Sequence, residues 1–267
     1  MTYHAPVKQL RFALDAIAEL PRLYGNSAYA DVSADLVDAV LEEAGRFAAE
    51  VIAPLNRTGD KEGAKLEDGN VTLPAGFAAA YKSFVEAGWN GITGAPAYGG
   101  QGLPHIVGIA VQEMWQSASM AFGLCPLLSQ GAIEALTAHG TPEQKKTYLP
   151  KLTSGAWTGT MNLTEPHAGS DVGALKAKAV KQPDGTYKIT GTKIFITWGE
   201  HNAAENIIHL VLARLPEAPP GTRGISLFLV PKFLVNADGS LGARNDLRCV
   251  GLEHKLGIHG SPTCVMS

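Results

Sequence analysis

The pattern of apolar positions changes character near residue 155. Before it, apolar residues recur at three- and four-residue spacing, the signature of helices that bury one face. Leu10, Leu14, Ile17 and Ala18 predict a short helix ended by Pro21, packed on the body of the protein. Leu36, Val40, Phe47, Val51 and Leu55 predict a longer one opened by Ser33 and Asp35. Its acidic residues Asp35, Asp38, Glu42 and Glu43 gather toward the N-terminal half, where the helix dipole favours them. The polar, glycine-containing stretch 57–72 is expected to be a loop. A third helix follows Pro74, with Phe77, Tyr81, Phe84 and Val85 on one face and Gly88 as its stop. Glycine and proline dominate 91–104, which predicts a helix-to-helix connection. Helical spacing resumes over Ile106–Ala121 and Leu127–Leu136. Thr141-Pro142-Glu143-Gln144 then supplies an N-cap, a proline at the first helical position and a capping-box glutamine, so a helix should run to about Leu152.

From Trp157 the grammar is that of strands. Lys176–Gln182 and Thr186–Thr190 flank Pro183-Asp184-Gly185, a strong hairpin signal. Ile207–Ala213 and Ile225–Val230 are apolar and β-branched enough to be buried strands, and Thr263–Met266 reads as another. Helices first and strands second, with little interleaving, predicts an α+β chain in two segregated parts. The expected divisions are an N-terminal extension over 1–30, an all-helical domain over 31–155 and a β domain over 156–267.

Composition narrows the function classes. Hydrophobic residues make up 45% and charged residues 18% of the 267, which is globular and not disordered. A formal charge of −3 gives no electrostatic case for nucleic acid or an anionic membrane. No apolar run is long enough to span a bilayer, so no membrane insertion is expected. The N-terminal residues mix charges into their apolar positions, unlike a signal peptide. Cys125, Cys249 and Cys264 are odd in number and widely spaced, which suits reduced thiols in a cytoplasmic protein.

The stretch Met161–Ala174, M-N-L-T-E-P-H-A-G-S-D-V-G-A, carries the candidate chemistry. It is a strand ending in a loop rich in backbone N–H groups, able to meet an anion or a flat ring bearing heteroatoms. Lys193–Gly199, K-I-F-I-T-W-G, repeats that design of strand, aromatic, hydroxyl and glycine. Two strands that both end in Thr and Gly suggest two walls of one pocket. Other readings fare worse. Glu165, His167 and Asp171 have no second cluster to make a metal site. Ser170 lacks a G-x-S-x-G elbow. Residues 99–105 contain no complete G-x-G-x-x-G. His201 and His209 read as surface or satisfied strand histidines, and His254 and His259 lack a metal-ligand companion.

L-T-E-P-H-A-G-S-D at 163–171 resembles the flavin-binding signature of the acyl-CoA dehydrogenases, and K-I-F-I-T at 193–197 resembles their second flavin segment. P-A-Y-G-G-Q-G at 96–102, H-G-T-P-E-Q-K at 139–145 and K-L-G-I-H-G-S-P-T at 255–263 follow in family order. The N-terminal segment and the 199–245 region resemble the subfamily with an N-terminal extension. This resemblance implies a helical domain followed by a β-barrel domain, FAD as cofactor and α,β-dehydrogenation of an acyl-CoA. It also implies an electron-transfer flavoprotein as acceptor and a homo-oligomer when intact. Site residues carried over are Met161, Asn162, Leu163, Thr164, Gly169, Ser170, Phe195, Ile196 and Thr197 for the flavin, with Ser170 also reaching the acyl-CoA. The family's catalytic glutamate lies in a C-terminal helical bundle after the barrel. The chain is therefore expected to be the N-terminal part of such an enzyme, with no catalytic base of its own and no turnover alone. Rival functions are an acyl-CoA oxidase or flavin monooxygenase on the same fold, and a non-catalytic flavin- or CoA-binding module.

Overall fold

The computed structural model describes residues 3–267, so the expected N-terminal extension begins, at Met1 and Thr2, outside the described residues. Helix α1 (Val7–Phe12) runs into a wide π turn over Ala13–Ile17. Leu10 and Leu14 are buried, but Ile17 is exposed. A π turn holds more residues than an α turn, which rotates Ile17 off the stripe its spacing predicts.

Helix α2 (Ala34–Phe47) starts at Ser33, whose Oγ accepts from the Leu36 N–H at 3.2 Å. A π turn over Ala48–Ile52 leads straight into α3 (Ala53–Glu62). It sits just before Pro54, which has no N–H to donate and whose ring crowds the preceding turn. The most buried line along this rod is Val37, Leu41, Ala44, Ala48 and Ile52, one position on from the expected stripe. Alanine adds little apolar weight to a sequence pattern, yet its small side chain lets helices approach most closely.

The segment expected as a loop over 57–72 is instead the end of α3 and a hairpin, β1 (Lys65–Glu67) with β2 (Asn70–Thr72). Asp68 and Gly69 at its tip have φ of 49° and 76°. Asp-Gly is the dipeptide that two-residue hairpins favour, because both central positions need positive φ.

Helix α4 (Phe77–Glu86) buries Phe77, Tyr81 and Phe84. Helix α5 (His105–Ala118) and α6 (Met120–His139) meet at Ser119, whose extended backbone breaks the rod. The helical spacing left a gap between Ala121 and Leu127, but α6 runs through it with Pro126 inside. Helix α7 (Pro142–Ser154) opens on the predicted capping box, with Thr141 and Gln144 each accepting from the other's N–H. Phe84 packs edge-on to Trp115 at 4.9 Å and Phe122 at 5.9 Å, and this aromatic group centres the helical core.

Strands begin with β3 (Trp157–Asn162). Beyond it lie β4 (Lys178–Lys181), β5 (Tyr187–Thr190), β6 (Lys193–Thr197), β7 (Asn206–Arg214) and β8 (Ile225–Pro231). The shorter β9 (Phe233–Val235), β10 (Leu241–Arg244), β11 (Cys249–Leu252) and β12 (Thr263–Met266) follow. Strand β7 is central to a five-stranded sheet: it pairs in parallel with β3 and, at its end, with β4, and antiparallel with β8. Its nearly continuous burial is what a strand covered on both faces requires. A three-stranded sheet, β11-β12-β6, stands beside it.

The helices fix β3 in place. Gly159 lies so close to α6 that an added Cβ would fall 2.4 Å from the Cβ of Ala132. Its N–H donates to the Ser129 Oγ at 3.1 Å. Trp198, just past β6, donates from Nε1 to the Ala121 carbonyl at 3.1 Å. Both strands that carry the candidate chemistry are thus anchored on the same helix.

Candidate functional site

The two stretches singled out in the sequence meet. The Thr160 hydroxyl donates to the Thr197 carbonyl at 2.7 Å, and the Ile194 N–H donates to the Thr164 carbonyl at 2.9 Å. Side chains along the end of β3 alternate: Met161 is 38% exposed while Thr160 and Asn162 are buried. Thr164 and Thr197 are half-buried beside them.

Phe195 faces outward for a structural reason. Strand β6 pairs Cys264 with Ile196 but Met266 with Lys193, so two residues of β6 oppose one of β12. This is a β-bulge, and bulges re-aim side chains. Phe195 takes φ of 58°, which is costly for a bulky residue, and its ring stays 44% exposed with the Lys255 Nζ 5.1 Å from the ring centre. Ile196 turns into the core at 2% exposure. Trp198 repeats the left-handed backbone with φ of 52°.

Asn162 turns its side chain away from Met161 into the interior. Its Nδ2 lies 3.1 Å from His209 Nδ1, while its Oδ1 and the His209 Nε2 are buried with no partner among the described residues. His201 is also buried and shares a 3.0 Å bond with the Thr158 hydroxyl. Neither histidine is on the surface, one of the two places sequence reasoning allowed. Burial lowers both to about 3, aided for each by the nearby Lys232 charge. Lys232 and Arg244 converge on the buried carboxylate of Glu200, an interior ion cluster that no motif announced.

Beyond Thr164 the chain closes a tight turn, with Glu165 and Ala168 exchanging both backbone bonds. Gly169 and Ser170 lie exposed after it. An added Cβ on Gly169 would meet only the Thr164 Cγ2, at 3.9 Å, so the loop's backbone is open to a ligand. Glu165 is 3% exposed and bound on all sides. Its Oε2 accepts from the Lys176 N–H at 2.7 Å, and its Oε1 from the Ala177 N–H at 3.0 Å and from Lys193 Nζ at 2.8 Å. Burial raises the Glu165 carboxyl, but the Lys176 N–H, Lys193 and the Ala177 N–H together hold it below the ordinary carboxylate range. Burial lowers the Lys193 ammonium, with Glu165 opposing. Lys193 looked like a plain strand residue, and nothing in its spacing marked it.

Among the described residues no group of three or more His, Cys, Asp or Glu could hold a metal ion, and no helix is long and apolar enough to cross a membrane. His254 and His259 stack at 4.9 Å, the latter tied to Asp60.

Compared with known families, residues 36–156 match the acyl-CoA dehydrogenase N-terminal domain and residues 160–267 match the acyl-CoA dehydrogenase middle domain. The chain belongs to the acyl-CoA dehydrogenase family. It is 54% identical to a 3-methylmercaptopropionyl-CoA dehydrogenase of Ruegeria pomeroyi, over 100% of this chain and 45% of that protein. It is 40% identical to a butyryl-CoA dehydrogenase of Syntrophomonas wolfei, over 99% of this chain and 44% of that one. The chain thus spans less than half the length of these relatives. An acyl-CoA dehydrogenase from Bacillus anthracis, solved with FAD, shares the fold at 23% identity and a TM-score of 0.69, covering 89% of this chain and 36% of that one. Helices followed by a strand-rich part are the family's arrangement, as the resemblance implied.

Proposed function

We propose that this chain supplies the flavin site, and part of the acyl-CoA site, of an enzyme that converts an acyl-CoA thioester to the enoyl-CoA. What carries the reading is the juncture of β3 and β6, which sets an outward Met161 and Phe195 beside two half-buried threonines. A tricyclic flavin needs an apolar cover and hydrogen bonds along one polar edge, and these residues fit both needs. When bound, FAD would supply the redox chemistry by accepting hydride from the β-carbon of the thioester.

The chain's own residues would bind and orient. Phe195 would lie against the ring, with Ile196 packing behind the bulge and Thr197 on the same wall. Met161 would give apolar contact, and the main chain from Asn162 to Leu163 with the Thr164 hydroxyl would meet the polar edge. The Asn162 side chain would stay in the interior. Gly169 would admit the cofactor to the loop backbone, and Ser170 would bridge cofactor and thioester arm. The division follows at about residue 155: the helical part anchors the strands and the β part holds the cofactor. An electron-transfer flavoprotein is the expected acceptor, and the close relatives' names point to short acyl-CoA substrates.

The general base is a different matter. Glu165 and Glu200, the buried glutamates, are both committed to cations. A carboxylate held that way below its ordinary value, as Glu165 is, makes a poor proton acceptor. The 267-residue chain alone should therefore not oxidise an acyl-CoA. The experiment is to reconstitute the chain with FAD and add short acyl-CoA thioesters without oxygen. Retained flavin absorption at full occupancy is expected, whereas bleaching would reveal a base within these residues. No FAD binding at all would overturn the site.

A further inference from the structure

We propose that Glu165 and Lys193 form a positioning clamp that sets the spacing between the two flavin-facing strand ends. The inference rests on the flavin reading above and adds residues that touch neither the flavin nor the thioester in that reading.

One ammonium group reaches both walls. Lys193 opens β6, two residues before Phe195, and its Nζ donates to the Leu163 carbonyl at 3.0 Å as well as to Glu165. Leu163 immediately precedes Thr164, so the same atom fixes the end of the β3 wall. Glu165 meanwhile gathers the amides of Lys176 and Ala177, which draws the far end of the flavin loop back to its start. The Ile194-to-Thr164 backbone bond lies between these points. Both side chains are nearly sealed, at 6% and 3% exposure, and His167 stands 3.6 Å from the Glu165 Oε2 at the loop surface.

Burying two charges costs desolvation that apolar packing would avoid. What the ions give in return is direction. Charge-assisted hydrogen bonds are short and angle-dependent, so they fix Thr164 relative to Phe195 in a way that packed methyl groups would not. The loop, with glycines at 169 and 173, is otherwise held by buried Ala168 and Leu175 and by the Arg214 guanidinium on the Gly173 and Leu175 carbonyls, and none of these contacts involves β6.

The test uses the full 267-residue chain, with Lys193→Met, Glu165→Gln and the double variant. FAD affinity is read by fluorescence titration and the bound flavin by its absorption spectrum. Amide exchange over 161–177 and 193–197 is followed with and without FAD. Each single variant should weaken FAD binding by about tenfold, the scale of one charge-assisted bond. The bound spectrum should shift, and the double variant should bind no worse than the weaker single. Faster exchange at Lys176 and Ala177 with unchanged affinity and spectrum would reduce the pair to loop structure and overturn the clamp. Losses that simply add would do the same. If FAD protects none of 161–164 and 193–197 in the unaltered chain, the flavin reading itself fails; the flavin-free exchange data separate that case from a failed clamp. Should Lys193→Met not fold, Lys193→Arg keeps the charge with a different reach. It must then change the flavin spectrum while the thermal midpoint holds, and an unchanged spectrum would count against the proposal.

Discussion

At the scale of single residues, the site depends on which way each side chain points. Thr164 and Thr197 are half-buried at the meeting of the strands, while Asn162 points inward to His209. Replacing Thr164 with Val removes one hydroxyl at nearly constant volume. FAD affinity should fall by about 0.5–1.5 kcal/mol, with a small change in flavin absorption. Titration of the variant checks this, and an affinity equal to that of the unaltered chain would remove Thr164 from the polar edge. Phe195 makes the complementary case. Its positive φ is a cost the fold meets to keep the ring at the surface. Phe195→Gly should relieve that strain and cost little stability while sharply weakening FAD binding. Thermal melting and titration together separate the two effects.

The elements explain why those residues stay where they are. Strand β3 is held by α6 through the close approach at Gly159, where any Cβ would strike Ala132. Gly159→Val overfills this contact and should destabilise the chain by roughly 1–3 kcal/mol, measured by denaturant unfolding. It should weaken FAD binding too, because the strand must move away from α6 and carry Met161 with it. Ala132→Gly in the same chain should restore part of both losses, and no rescue would mean that the contact is looser than described. The bulge in β6 works at this scale as well: one extra residue between Lys193 and Ile196 turns a regular strand into one that presents Phe195 outward.

For the whole molecule, the interior charge cluster sets the response to pH. His201 and His209 are each lowered from 6.5 to about 3, mainly by burial. Between those values the unfolded chain binds protons that the folded chain does not. Stability is therefore fully present above pH 6.5 and is lost as pH falls toward 3, by about 1.4 kcal/mol per pH unit for each histidine. Glu165, held below 4.5, adds a loss in the same direction as pH falls from 4.5 toward its folded value. Urea midpoints measured from pH 7 down to pH 5 should drop steeply. His209→Gln should flatten that slope, and an unchanged slope would show that His209 does not titrate with unfolding.

Sequence alone determined the order of the chain: helices to about residue 155, strands after, the capping box at Thr141 and the hairpin at Asp184-Gly185. These are local signals, set by spacing, caps and turn residues whose partners lie a few positions away. It also singled out both stretches now proposed to hold the flavin, since their glycines, threonines and aromatic stand in a recurring order that suggests two walls of one pocket. The β1–β2 hairpin was not legible: its strands are too short and too polar to show an alternating pattern, so 57–72 reads as a loop despite Asp68-Gly69 at the tip. Only the tertiary structure decided the rest. The outward turn of Phe195 needs the register of β12, and the buried line on α2 needs the helices that its alanines touch. The Glu165–Lys193 pair spans 28 residues, and Glu200 with Lys232 spans 32. Lysines and glutamates are normally solvated, so a buried pair leaves no trace in a hydrophobic pattern; it exists only when the fold removes water from both partners at once.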